Sequence, residues 1–154
     1  MDHHSLGNVR FDFDGALVLA QRLWALGSRI DDTVSARAAA AQTAEQEWHG
    51  AYATQFDDRI NQSTSEGSQL AASASGLAKL FAEAWAHAAT QQRWNDRATW
   101  IQNKENNKSA WDDATGWVFG DDIDKNTPNP PDVDVPGPPD FAATTNPHVP
   151  WDPS

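Results

Sequence analysis

No proline occurs before Pro128, and all nine prolines crowd into the remainder of the chain. A proline inside a helix removes a backbone donor and clashes with the preceding turn, so its absence leaves helix open to everything upstream. The stretch from Pro128 onward, "PNPPDVDVPGPPDFAATTNPHVPWDPS", has the opposite character and is expected to be a disordered tail. A chain of 154 residues divided in this way holds one modest domain at most.

Upstream, the apolar residues keep helical time. Phe13, Ala20, Gly27, Val34, Ala41 and Trp48 recur every seven positions, and Ala16, Leu23, Ile30, Arg37 and Ala44 follow each by three. Only Arg37 breaks the pattern, which is that of a helix packed along another helix. A second seam runs Phe56, Ile60, Ser63, Gly67, Leu70, Ala74, Leu77, Phe81, Ala84 and Ala88, in steps of three and four. Gly67 and Gly76 weaken that helix locally but are small enough to admit another backbone. The polar run "NKENNKS" at 103–109 is expected to end or fray it.

Between the seams lies one break, "EQEWHGAYATQF" at 45–56, with Trp48 and Gly50 at its centre. No stretch alternates with a period of two, so no sheet is expected. Two long helices joined by a short link must run antiparallel. The expected fold is all-α: an antiparallel two-helix hairpin, becoming a four-helix bundle on dimerisation. Its parts are a flexible N-terminus (1–11), a helical hairpin (12–110), a short amphipathic extension (111–125) and the disordered Pro/Asp-rich tail (126–154). Within the hairpin, helices are expected at 14–45 and 52–102 around a turn at 46–51. Trp48 continues the first seam and can close the end of the core, while Gly50 permits the reversal.

A long helix, the tripeptide Trp48-His49-Gly50 in the turn and a second amphipathic helix resemble the WxG family of small type VII (ESX) secretion proteins. The resemblance covers residues 10 to 100, and the extension beyond is similar to that of longer actinobacterial-type relatives. It implies homo- or heterodimers of helical hairpins with another WxG-like protein, exported without a cleaved leader. It further implies recognition by a secretion ATPase through a signal shared between the turn motif and the partner's tail. The family's second signature, Tyr-x-x-x-Asp/Glu, is not present as such. Trp117 and Asp121 have the same spacing in about the right place and stand as the candidate secretion signal. The competing reading makes "WDDATGWVFGDD" a short amphipathic segment folded back on the hairpin.

Several chemistries are disfavoured by the residues. The net charge is −11, and from Asp112 onward there are nine Asp against one Lys. Nucleic acid needs clustered Lys and Arg, and anionic membranes need the same, so neither is an expected partner. There is no cysteine, hence no disulfide and no thiolate metal site. Five scattered histidines lack ligand spacing, and Glu83 with His87 form one isolated pair. The Asp122, Asp124, Asn126 run lacks the glycine and terminal acid of a calcium loop. No nucleophile or phosphate-loop motif occurs, so neither an enzyme nor a cofactor or metal is expected. No apolar run is long enough for stable membrane insertion.

Tryptophan is the remaining signal, with eight in the chain and five between Trp85 and Trp117. Indole rings are enriched at protein interfaces. Leu17, Trp24, Leu26, Leu80, Trp85 and Trp94 form the candidate partner interface. The expected function is protein–protein binding by a secreted or cell-surface protein that leaves the cytoplasm by a leaderless route. The alternatives are a cytosolic adaptor or chaperone-like partner of another secreted protein, and a membrane-active helical protein.

Overall fold

The computed structural model describes the backbone of residues 7–115 and 123–153, and the side chains of those residues except 109–115. The protein is all-helical, with no strand among the described residues. Helix α1 spans Phe13–Glu45, α2 spans Ala51–Thr115 and α3 is a single turn at Ile123–Asn126. Residues 127–153 follow as irregular chain. Contacts divide the molecule into two units. Of the described residues, the α1 unit contains 14–83 and 136–142, and the terminal unit contains 7–13, 84–115, 123–135 and 143–153.

In the α1 unit, Phe13's successors Ala16, Ala20 and Ala41 are buried on α1, as the heptad seam predicts. On α2 the buried line is Ala71, Ala74, Ala78 and Ala82; Ala74 belongs to the expected seam, and the other three lie beside it. Leu70 and Leu77, expected to face α1, are 59% and 47% exposed. The helix is turned so that its alanines make the contact and its leucines flank it. Alanine has nothing beyond Cβ, so two alanine faces approach more closely and exchange more backbone dispersion contact than leucines allow. The pairing runs in opposite directions along the chain. Gly27 lies against Ala71 and Ser75, where an added Cβ would stand 2.9 Å from the Ala71 carbonyl oxygen, and Val34 packs onto Gly67. Gly76, expected to admit a neighbour as Gly67 does, has nothing within 4 Å of a Cβ position.

The terminal unit is organised around the second half of α2. Trp85, Ala86 and Ala89 are buried there, and Phe13 meets Trp85 edge-on at 6.3 Å between ring centroids. The expected end of α2 near 102 is corrected: the helix continues through "NKENNKS" to Thr115. Asn and Ser are only modestly poorer helix formers than Lys and Glu, and no glycine or proline interrupts them.

Two expectations of disorder are also corrected. Residues 7–9 of the N-terminal segment are held by buried amides of α2. Gln92 accepts the Val9 N–H through Oε1 at 2.7 Å, and Asn95 Nδ2 donates to the Gly7 carbonyl at 2.9 Å. In the tail, Thr127, Val133 and Phe141 are buried. Proline-rich chain has few N–H groups to satisfy, so it needs mainly donors for its carbonyls, and α2 supplies them. Arg93 donates to the Pro131 carbonyl at 3.0 Å, and Arg97 donates to those of Asp124, Thr127 and Pro128 at 2.9, 2.9 and 3.1 Å.

Candidate functional site

The turn between α1 and α2 is built by short-range backbone bonds. Trp48 N–H reaches back to the Glu45 carbonyl at 3.3 Å, closing the last turn of α1. Gly50 has φ = 108°, a conformation that side-chain-bearing residues rarely adopt. Its carbonyl then accepts from Ala53 and Thr54 at 3.1 and 3.3 Å and starts α2. The glycine is therefore required by the backbone reversal itself. No side chain crowds it, because nothing lies within 4 Å of its Cβ position.

Trp48 has a different role from the expected plug. The residue is 49% exposed, its ring resting edge-on against Phe56 at 5.5 Å. Tyr52, the second residue of α2, is 77% exposed. The corner thus presents two large rings outward, on a short segment whose direction is set by Gly50. Across this corner the Glu45 carboxyl titrates above its ordinary value, because it shares a hydrogen bond with Asp57 and feels that residue's like charge.

A second feature runs along one flank of the α1 unit. At about 100° per residue, Leu19 and Leu26 fall to one side of the Ala20–Gly27 line, while Gln21 and Trp24 fall to the other. Leu70 and Leu77 stand in the same relation to the Ala71–Ala78 line. Because the helices run in opposite directions, positions one before the seam share a flank. The result is a strip in which Leu19, Leu26, Leu70 and Leu77 are 39%, 49%, 59% and 47% exposed. Leu80, a turn beyond Leu77, is 57% exposed. The opposite flank is covered by the chain's own tail. Phe141 packs on Trp24 at 6.2 Å, Asp140 accepts a hydrogen bond from Gln21, and Lys79 lies 5.7 Å from the centre of the Trp24 ring.

The candidate interface residues therefore separate. Leu26 and Leu80 lie open; Leu17 and Trp24 are partly buried against the Phe141 cluster. Trp85, expected at a partner surface, is 1% exposed and belongs to the interior of the terminal unit. Its misassignment has a simple origin: a lone indole on a helical stripe reads alike in a core and in an interface. Trp94 is 37% exposed and is stacked by the Arg97 guanidinium at 5.8 Å. Trp117 and Asp121 lie outside the described residues.

The terminal unit also holds a cavity of about 400 Å³ between α2 and the last tail residues. Gln92, Arg93 and Asp96 form one wall and Pro147, Val149 and Trp151 the other. Its polar groups are engaged with one another: Asp96 accepts the Trp151 N–H at 2.9 Å and the Gln92 amide at 2.8 Å, and Arg93 donates to Thr145 at 3.3 Å. Among the described residues no cluster of His, Asp and Glu has the spacing of a metal site, and no helix is long and apolar enough to cross a membrane. Comparison with protein-family models, with curated proteins and with solved structures finds no match to the chain.

Proposed function

We propose that this chain is a WxG-like, type VII secretion-associated protein: an antiparallel helical hairpin, exported as a folded dimer without a cleaved leader, that acts by binding other proteins. The observation that carries this reading is the corner at Trp48 and Gly50. The glycine makes the reversal, and the tryptophan, packed on Phe56 by one edge, keeps half of its surface in water, so its ring is available as a recognition element. The exposed leucine strip supports the dimer, since four leucines on one flank form the kind of apolar patch that marks a protein interface. Pairing two such strips gives the four-helix bundle. Either a second copy or another WxG-like chain with the same strip can supply it, and the secretion ATPase is the partner that reads the corner.

Export is tested by comparing cells with and without the pathway's ATPase. The chain appears outside cells only when the ATPase is present, and Trp48→Ala abolishes that appearance while the purified variant keeps its helix content. Equal amounts outside both strains overturn the secretion reading and leave a cytosolic adaptor for another secreted protein, detected as a stable complex retained in the cell.

A further inference from the structure

The tail enters the α1 unit through a single large side chain. Phe141 is 1% exposed, with Ala20, Ala78 and Ala82 beneath it and Leu17 and Trp24 around it. The three alanines are the reason a ring fits. Lacking atoms beyond Cβ, they leave a hollow in the flank that only a side chain from elsewhere can fill. The approach is guided by a turn in which the Phe141 N–H donates to the Gly137 carbonyl at 2.8 Å. On the far side, the Asp140 carbonyl accepts from Gln21.

Phe141 itself has φ = 45°, unusual for a bulky residue, so the backbone is held against its own preference in order to aim the ring inward. The preceding chain, Pro136-Gly137-Pro138-Pro139-Asp140, is stiffened by three prolines and loses little freedom on docking. A floor of small side chains, one deep aromatic anchor, a stiff, tightly turned ligand and few polar contacts are the features of a peptide-docking site.

We propose that the α1 unit carries a docking site for a Pro-Pro-Asp-Phe segment, filled within this chain by residues 136–142 and open, between chains, to the same segment of a second copy. The second copy is the occupant because an exchanged identical segment keeps every contact just described. Within one chain the tether holds the local segment at about millimolar effective concentration, so exchange needs copies held close together. Only that exchange rests on the dimer proposed above; the docking site stands without it.

The test uses a labelled peptide of residues 134–143 and the full-length F141A variant, whose own tail lacks the anchor. The variant should bind the peptide one to one, and the unaltered protein about tenfold or more weakly, because its tail competes. A peptide with Phe141→Ala should bind neither. No binding by an F141A protein of unchanged helix content, or equal binding by both proteins, overturns the site.

Should F141A lose its helix, the unaltered protein is used instead with a peptide carrying a photoreactive phenylalanine at position 141. Crosslinks to residues 17–24 or 78–82 support the site, and their absence at about millimolar peptide overturns it. Exchange is read separately, by placing the photoreactive residue in full chains of mixed light and heavy isotope. Light-to-heavy crosslinks establish it; crosslinks within one copy alone limit the site to its own tail and overturn the second copy as occupant. A failed export assay leaves each of these outcomes readable.

Discussion

At the scale of the residue, the glycines of α2 give a matched pair of opposite sign. Gly67 receives Val34, and a Cβ there would fall on its Cγ2 methyl. Gly76 sits in the same helix with open space around it. Gly67→Ala should destabilise by about 1–3 kcal/mol, as overpacking does. Gly76→Ala should stabilise by about 0.5–1 kcal/mol, because alanine loses less backbone entropy on entering a helix. Urea unfolding followed by circular dichroism measures both, and a gain from Gly67→Ala would contradict the packing described. The corner offers a titration test. The Glu45 carboxyl is raised above its ordinary 4.5, so the folded protein holds that proton more tightly than the unfolded chain does. Its contribution is then fully present below pH 4.5 and is lost as pH rises through the folded value. Glu45→Gln removes the titration, so stability above pH 4.5 should fall less steeply with pH than in the unaltered protein. Parallel pH profiles of the unfolding midpoint would show that Glu45 and Asp57 are not coupled.

Among the elements, α1 was the most legible in the sequence and the tail the least. The two heptad series place Ala16, Ala20, Gly27 and Ala41 on one buried stripe, and these four are buried, whereas Trp48 at the end of the same series is half exposed. For α2 the same period admits Leu70 and Leu77 beside Ala74, while the observed line keeps Ala74 and sets Ala71 and Ala78 in place of the leucines. Hydrophobicity alone favours Leu70 and Leu77, whereas close approach at Gly27 and Gly67 favours the alanines beside them. The tail carries no period at all. It is fixed by isolated anchors, Val133 and Phe141, and by arginines some thirty residues upstream, so nothing local announces that it packs. Arg97 is the centre of that attachment, with the Asp124 carboxylate at 2.8 Å in addition to its three carbonyl partners. Asp124 is 64% exposed, so the ion pair adds little, and the fork of donors holds the segment. Arg97→Lys keeps the charge but loses the fork. Amide exchange and proteolysis within 123–131 should then accelerate, with about 1 kcal/mol or less lost from the unfolding of α2 and far less from Asp124→Asn. Unchanged protection of 123–131 in Arg97→Lys would mean that other contacts hold α3.

For the whole molecule, the two flanks of the α1 unit pose unequal demands. One is closed by Phe141 and Trp24; the other leaves Leu19, Leu26, Leu70 and Leu77 partly in water. An alanine core gains only a little free energy for each side chain buried, whereas full burial of a leucine adds about 1.5–3 kcal/mol, of which roughly half is still to be gained at each of these four. The alanine seam can therefore set the geometry of the α1 unit while most of the unspent hydrophobic stabilisation lies on its open flank. A net charge of −11 opposes association through repulsion between copies, and salt weakens that repulsion without weakening leucine burial. If the strip is the dimer interface, the protein sediments at about twice 16.9 kDa, and the dimer tightens as salt is raised from low to physiological strength. Leu26→Glu together with Leu77→Glu should return it to a monomer with its helix content retained, since both side chains are outside the alanine seam. A dimer that survives the double substitution would place the interface elsewhere, and a dimer that loosens with added salt would make it electrostatic.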